Sequence, residues 1–390
     1  MRQFASEKIK ALPPSGIREF FAIADEMKDV ISLALGEPDY ITPRFIIDEG
    51  VQSLREGHTN YSSCPGNLVL REEIAKFLKE KYGLTYDPEG EIVVTVGASE
   101  AIDVVFRAML DPGDEVICPE PCFVSYKPCI YIAGGVPVSL PLSDKNDFKL
   151  QASDLEKYIT PRTKAIFVSY PSNPTGAVMT KEDWEPIVEV IKKHDLFVVT
   201  DEIYAELHYG EPHTSIASLP GMRERCVLIS GFSKAFAMTG WRLGYMAGPK
   251  SIMEYARTVH EFAVMSAPTT AQIASVIAMR QGASATEEMR VGYDHRRKYI
   301  LARLKKMNIP CFEPLGAFYI FPCISQFGLS DLEFCRKFLQ EEHVAIVPGS
   351  AFGAGGSGHV RIAYVCDIPV LEEAMNRLER FISRLQQGSK

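Results

Sequence analysis

Lys234 holds the position with the clearest chemical promise. The segment Ser230-Gly-Phe-Ser233-Lys234 follows the apolar run Cys226-Val-Leu-Ile-Ser230, which reads as a strand. A lysine at the carboxyl end of a sheet strand lies in the crevice where doubly wound folds bind ligands. Taken out of water, its amine loses proton affinity and becomes nucleophilic toward carbonyls. Arg242, in Thr239-Gly-Trp-Arg242-Leu-Gly-Tyr245, offers a bidentate hold on a phosphate. Taken alone, the two also fit a solvated surface pair.

Three more strand ends bring polar groups to the same edge. Val96-Gly97-Ala98-Ser99-Glu100 sits where a strand gives way to a helix. Free N–H groups there, with the Ser99 hydroxyl, suit an anion, although Ser99 also fits an ordinary helix cap. Ser169-Tyr-Pro-Ser-Asn173-Pro-Thr-Gly176 follows a second strand and Thr200-Asp201-Glu-Ile-Tyr204 a third. Each could be a cap or a turn on its own. Caps and turns do not explain why Ser99, Asn173, Asp201, Tyr204 and Lys234 converge on one crevice.

The elements that must position them alternate. Short apolar runs at Glu91–Val96, Glu115–Cys118, Ala165–Ser169, Leu196–Thr200 and Cys226–Ser230 read as strands. Helical spacing covers Pro43–Glu56, Leu68–Tyr82, Ala98–Leu110 and Lys181–His194. This rhythm predicts an α/β fold, a mainly parallel sheet covered on both faces. Earlier, Ile31–Leu35 reads as a short strand, and Pro13-Pro14-Ser15-Gly16 breaks any first helix. The rhythm changes near residue 285. Met289–Met307 and Val370–Gln387 read as helices, and Phe318–Phe321, Val344–Val347 and His359–Val365 as strands. The expected organisation is an N-terminal segment (1–45) contributing to a smaller domain, a large domain (46–284) and a small α+β C-terminal domain (285–390).

Composition excludes several classes. The 390 residues are 46% hydrophobic and 24% charged, ordinary for a globular chain able to bury its own core. The net charge of −8 offers no basic excess for nucleic acid. No apolar stretch follows Met1-Arg-Gln-Phe-Ala-Ser-Glu-Lys8, so neither a signal peptide nor a membrane span is predicted and a cytoplasmic location is expected. The uncharged stretch Phe262–Met279 is interrupted by Pro268 and Gln272 and reads as a buried connection. Nine cysteines without C-x-x-C spacing suggest reduced, mostly buried thiols and no metal site. Gly353-Ala-Gly355-Gly-Ser-Gly358 matches a dinucleotide fingerprint in form only. It runs into a strand rather than opening a helix, so a flexible loop is expected.

In their order along the chain, Ser-Asn173-Pro-Thr-Gly, Asp201-Glu-Ile-Tyr204 and Ser233-Lys234 followed by Gly-Trp-Arg242-Leu-Gly-Tyr resemble one family. It is the class I/II pyridoxal-phosphate-dependent aminotransferases of fold type I, near the prokaryotic aspartate/aromatic/alanine group. The resemblance runs from Leu35-Gly36-Glu-Pro-Asp to Arg361. It implies a mainly parallel seven-stranded sheet between helices. It also implies that Lys234 links covalently to pyridoxal 5'-phosphate and later moves the 1,3-prototropic proton. Asp201 would pair with the protonated ring nitrogen, Asn173 and Tyr204 would bond the ring oxygen, and Phe123 would stack on the ring. Gly97, Ala98, Ser99 and Arg242, with Ser233, would hold the phosphate. Tyr61 would reach the phosphate of a second copy, giving a homodimer with shared sites. Arg361 would clamp the substrate carboxylate with help from the Gly36 backbone.

Four departures stand out, and the last two bear on the substrate. Phe123 replaces a tryptophan common in aspartate-specific members, and Gly231 stands where many relatives carry serine. Glu100 stands where aspartate-using members often carry lysine, and Ser266–Thr270 has no cation. A second substrate carboxylate would be left unpaired. The expected reaction is ping-pong transfer from a neutral or aromatic L-amino acid to a 2-oxo acid such as 2-oxoglutarate or pyruvate. A β-elimination lyase of the cystathionine β-lyase kind would use the same lysine and aspartate. Gly231-Phe-Ser233-Lys-Ala235 nearly matches a hydrolase nucleophile elbow but lacks the fifth glycine. A regulator built on this fold would need a DNA-binding module, and the segment before Leu35 shows no helix-turn-helix pattern.

Overall fold

Buried apolar runs supply the main sheet of the computed structural model, which describes residues 4–12, 27 and 29–388. After the short strand β1 (Ile31–Ser32) come β2 (Ile92–Thr95), β3 (Glu115–Glu120), β4 (Val136–Pro141) and β5 (Thr163–Ser169). Then follow β6 (Phe197–Asp201), β7 (Cys226–Gly231) and β8 (Gly244–Ala247). Strands β2 to β8 form one seven-stranded sheet in the order β2-β8-β7-β6-β5-β3-β4. Only β8 runs antiparallel to its neighbours. The parallel strands β3, β5, β6 and β7 therefore end at one edge, bringing Ser169, Asp201 and Ile229 level with one another, two residues before Gly231.

Two strands have no counterpart in the sequence reading. Pro137 and Pro141 disguise β4, which lies at the sheet edge where missing N–H donors cost little. Gly244-Tyr-Met-Ala247 is too short a run to stand out beside Arg242. The helices Tyr126–Ala133 and Lys250–Val264 were likewise not foreseen. The stretch Phe262–Met279 is not a buried connection. It is the end of Lys250–Val264, a short turn and most of the helix Thr269–Gln281, and Phe262 is 86% exposed.

The C-terminal part contains β9 (Tyr319–Ile320), β10 (Val344–Ala345), β11 (Val347–Pro348) and β12 (Val360–Ala363). Strands β11-β12-β9 form an antiparallel sheet, and β10 pairs in parallel with β1, so residues 31–32 join residues 344–345. The helices Ala283–Lys306, Asp331–Glu342 and Ile368–Gly388 complete this part. Ser330 opens the second of these with a capping box to Glu333, which satisfies end groups reciprocally. Arg296 of the long helix bonds Asp39 at 2.8 Å and fixes the segment after Gly36. The break expected at Pro13–Gly16 lies outside the described residues.

Glycines 353–358 are not a free loop. Two short turns, Gly349–Phe352 and Ala354–Gly356, sit on Glu120, whose carboxylate accepts the Ala354 N–H at 3.1 Å. A Cβ at Gly353 would lie 2.4 Å from that carboxylate. The nine cysteines are unbonded. Four are buried and five partly exposed, so burial is less general than expected. Among the described residues, no helix is long and apolar enough to cross a membrane.

Candidate active site

Strand ends and one returning strand build the site. Lys234 lies just past β7, and its Nζ donates to the Gly36 carbonyl at 2.6 Å. The Tyr204 and Phe318 rings flank it, 5.9 and 5.8 Å from Nζ. Burial lowers the Lys234 pKa to about 8, and the cations Arg361 and Arg242 push the same way. Glu37 and Asp201 oppose them. The sequence reading placed a desolvated lysine here, and these neighbours are the physical reason it is poised near neutrality.

Asp201 ends β6 and is buried, which pushes its carboxyl up to about 6. Two donors oppose that shift. Tyr126 Oη donates to Oδ2 at 2.7 Å, and the Ile203 N–H bonds Oδ1 at 3.1 Å. Tyr126 also reaches Ser169 Oγ at 3.1 Å and packs edge-on against Phe167 and Phe123. Sequence reasoning missed Tyr126. The available signal was its place three residues after Phe123, one turn along the chain. Phe123 is half-buried beside it.

The opposite wall comes from β12. Arg361 is 4% exposed and donates to Asn173 Oδ1 at 2.9 Å and to the Ala34 carbonyl at 2.5 Å. Its guanidinium lies over the Tyr319 and Phe352 rings, 4.6 and 4.9 Å from their centroids. None of these partners is a carboxylate, and Arg361 Nε has no hydrogen-bond partner. A buried cation held only by neutral groups suits an incoming anion. Tyr319 Oη meets Tyr204 Oη at 2.7 Å, and a Cβ at Gly36 would fall 2.6 Å from it. Only glycine permits that approach. Tyr319 was also missed; Ala317-Phe-Tyr-Ile320 gives no spacing signal.

The turn after β2 completes the arrangement. The helix Gly97–Met109 starts at Gly97 with Val96 as its cap position, so Ser99 is inside the first turn and is not the cap. Its leading N–H groups are free to bind an anion. Gly97 has φ +76°, and a Cβ there would meet the Arg242 guanidinium at 2.7 Å. Arg242 itself sits in the left-handed region at φ +55° and bonds the Thr239 carbonyl. Such strained backbone persists where surrounding packing imposes it, as at binding sites. Ser230 Oγ donates to the Glu202 carbonyl, while Ser233 is buried beside Lys234. A serine side chain has no room at Gly231, since a Cβ would lie 2.9 Å from Gly244 Cα. Glu100 is tied to Val96 and His260. Tyr61 is 82% exposed.

Comparison with known proteins agrees with this architecture. Residues 28–378 match the family model described as aminotransferase class I and II. An aspartate aminotransferase of Pyrococcus abyssi is 46% identical over 380 residues, covering 97% of this chain and 98% of that one. An aromatic-amino-acid aminotransferase of Thermococcus litoralis is 43% identical, with the same coverage. The crystal structure of an aromatic aminotransferase from Pyrococcus horikoshii superposes with a TM-score of 0.91 at 44% identity, covering 95% of this chain and 100% of that one.

Proposed function

The chain belongs to the class I and II aminotransferases, enzymes of amino-group transfer, and we propose that it takes a neutral or aromatic L-amino acid as donor and uses pyridoxal 5'-phosphate held at Lys234. The donor set suits that group: an amine poised near neutrality, a buried carboxyl, and a cradle of N–H groups with an arginine. When bound, the cofactor supplies an electron sink for the substrate carbanion.

In this reading Lys234 would be the attachment point and the base that moves the substrate proton. Asp201, oriented by Tyr126, would pair with the ring nitrogen. Asn173 and Tyr204 would bond the ring oxygen, and Phe123 would pack against the ring. Gly97, Ala98, Ser99, Ser233 and Arg242 would hold the phosphate. Arg361, with the Gly36 backbone beside it, orients the substrate carboxylate. The donor leaves as a 2-oxo acid before an acceptor such as 2-oxoglutarate or pyruvate enters. Arg361 carries the proposal, because its buried guanidinium has no anionic partner.

Two observations favour a neutral or aromatic side chain. Tyr204, Phe318, Tyr319 and Phe352 surround Lys234 and Arg361. Among the described residues, the cations that act most on Lys234 are Arg361 and Arg242, both already assigned. The relatives' names divide between aspartate and aromatic amino acids, and the aromatic lining favours a neutral or aromatic donor. We also propose a homodimer, with Tyr61 entering the second copy's site. Exposed Tyr61, Ile41 and Phe262 are apolar surface that a second chain would cover. Residues 1–45 and 285–390 would form the smaller unit that closes over substrate.

The test is a visible spectrum of protein supplied with pyridoxal 5'-phosphate, taken before and after a panel of L-amino acids. The expected result is a yellow band bleached by aromatic and neutral donors and restored by a 2-oxo acid. Bleaching by aspartate alone overturns the donor assignment. A band that persists while ammonia is released would show elimination instead.

A further inference from the structure

Glu100 and His260 form a buried pair that the proposed reaction does not use. The His260 side chain is 0% exposed and that of Glu100 is 12% exposed. Glu100 Oε1 meets His260 Nδ1 at 2.7 Å, and Oε2 accepts the Val96 N–H at 2.5 Å. His260 Nε2 faces the Cys64 carbonyl at 3.0 Å. That carbonyl can only accept, so Nε2 carries a proton. Nδ1 faces a carboxyl oxygen, so a further proton lies between ring and carboxyl.

The pair connects two pieces of chain. On one side, Val96 immediately precedes Gly97, and Glu100 is in the first turn of its helix. On the other, Cys64 lies three residues after Tyr61. The segment is pinned nearby as well. Gln272 bonds Ser62 Oγ at 2.8 Å and the Asn67 N–H at 2.7 Å, and Thr269 Oγ1 donates to the Asn60 carbonyl at 2.7 Å. These bonds hold the 60–67 segment to the helix Thr269–Gln281. The Val94 N–H bonds the Pro65 carbonyl at 3.0 Å and joins the segment to the strand before the Gly97 turn, and among the described residues the Glu100–His260 pair adds a side-chain tie to the turn itself.

We infer that Glu100 and His260 are positioning residues that lock the Gly97–Ser99 turn to the segment carrying Tyr61, so that one buried pair sets both parts of the phosphate cradle. One part serves this chain's own site, and the other is the arm directed at a second copy. The inference rests on the cofactor reading above. It gives Glu100 a structural task in place of side-chain selection.

The test separates phosphate from ring. Cofactor-free protein is titrated with pyridoxal 5'-phosphate and, separately, with pyridoxal, each followed by absorbance. Glu100→Ala is expected to weaken the phosphate ester at least tenfold and leave pyridoxal unchanged. Glu100→Gln is expected to recover most of the loss, since its oxygen still accepts the Val96 N–H and its amide can donate to a neutral ring. His260→Leu should match Glu100→Ala; if it fails to fold, the two Glu100 variants decide. Tyr61→Phe should cost less in the Glu100→Ala background than alone, because the arm is already released. Equal losses for both ligands, no loss for either, or no recovery with glutamine overturns the inference. Additive losses with Tyr61→Phe detach the arm from the pair. If the unaltered chain binds neither ligand, the cofactor reading fails and this inference fails with it.

Discussion

The strand-end sector around Lys234 and Asp201 and the clamp around Arg361 solve different problems with different means. In the first, each charged group is hydrogen-bonded: Asp201 has Tyr126 and the Ile203 N–H, and Lys234 has the Gly36 carbonyl. In the second, a cation is buried among rings and neutral oxygens, with one nitrogen unbonded. Its partners Ala34, Asn173, Tyr319 and Phe352 come from four separate segments. The first sector tunes proton affinity, and the second waits for an anion. A site that must bind and release substrate on every cycle gains by leaving its clamp incomplete.

Removing the amine should break the first sector most severely. Lys234→Ala is expected to cut transamination on the order of 10⁴-fold, with the folded secondary structure retained by circular dichroism. The clamp should fail next. Arg361→Gln is expected to lower kcat/KM by about 10²-fold or more in steady-state assays, in line with about 3 kcal/mol for a buried pair left half-made. Arg361→Lys should restore little, because the fork that meets a carboxylate is lost.

The third prediction concerns stability. In an unfolded chain an aspartate titrates near 3.9. The fold moves Asp201 up to about 6, so its contribution to stability is full below about pH 4 and is lost as pH rises through 6. Lys234 is shifted down to about 8, so its contribution is full above about pH 10.5 and is lost as pH falls through 8. Between those values both groups oppose folding. Asp201→Asn should therefore stabilise the cofactor-free protein at pH 7 by up to about 3 kcal/mol in urea titrations, and by much less at pH 4. Equal effects at both pH values would remove burial as the cause.

The smallest effect sharpens the comparison. Tyr126→Phe removes one donor to a carboxylate, worth about 1–2 kcal/mol. It should move the Asp201 titration further up, read as a shifted pH profile of the cofactor-free protein's stability. Tyr319→Phe, in the clamp sector, should leave that profile alone and change KM for the amino donor by a few-fold. If Tyr319→Phe moved the profile as well, the two sectors would be one coupled network.

The alternation of apolar runs and amphipathic helices by itself determined the parallel sheet, because a strand buried on both faces must be apolar throughout. Strand-end positions then placed Lys234, Asp201, Asn173 and Gly97 together, since parallel strands end at a common edge. The C-terminal strands were legible as apolar runs, but β4 and β8 were not. Proline at a sheet edge and a four-residue strand carry little local signal. Tertiary structure alone decided which groups face those residues. Tyr126 meets Asp201 across 75 positions, Tyr319 meets Tyr204 across 115, and His260 meets Glu100 across 160. Spacing reports neighbours on one helix or strand. Contacts between elements depend on how the sheet, the helices and the returning strand β12 pack, and that is where the clamp and the buried pair arise.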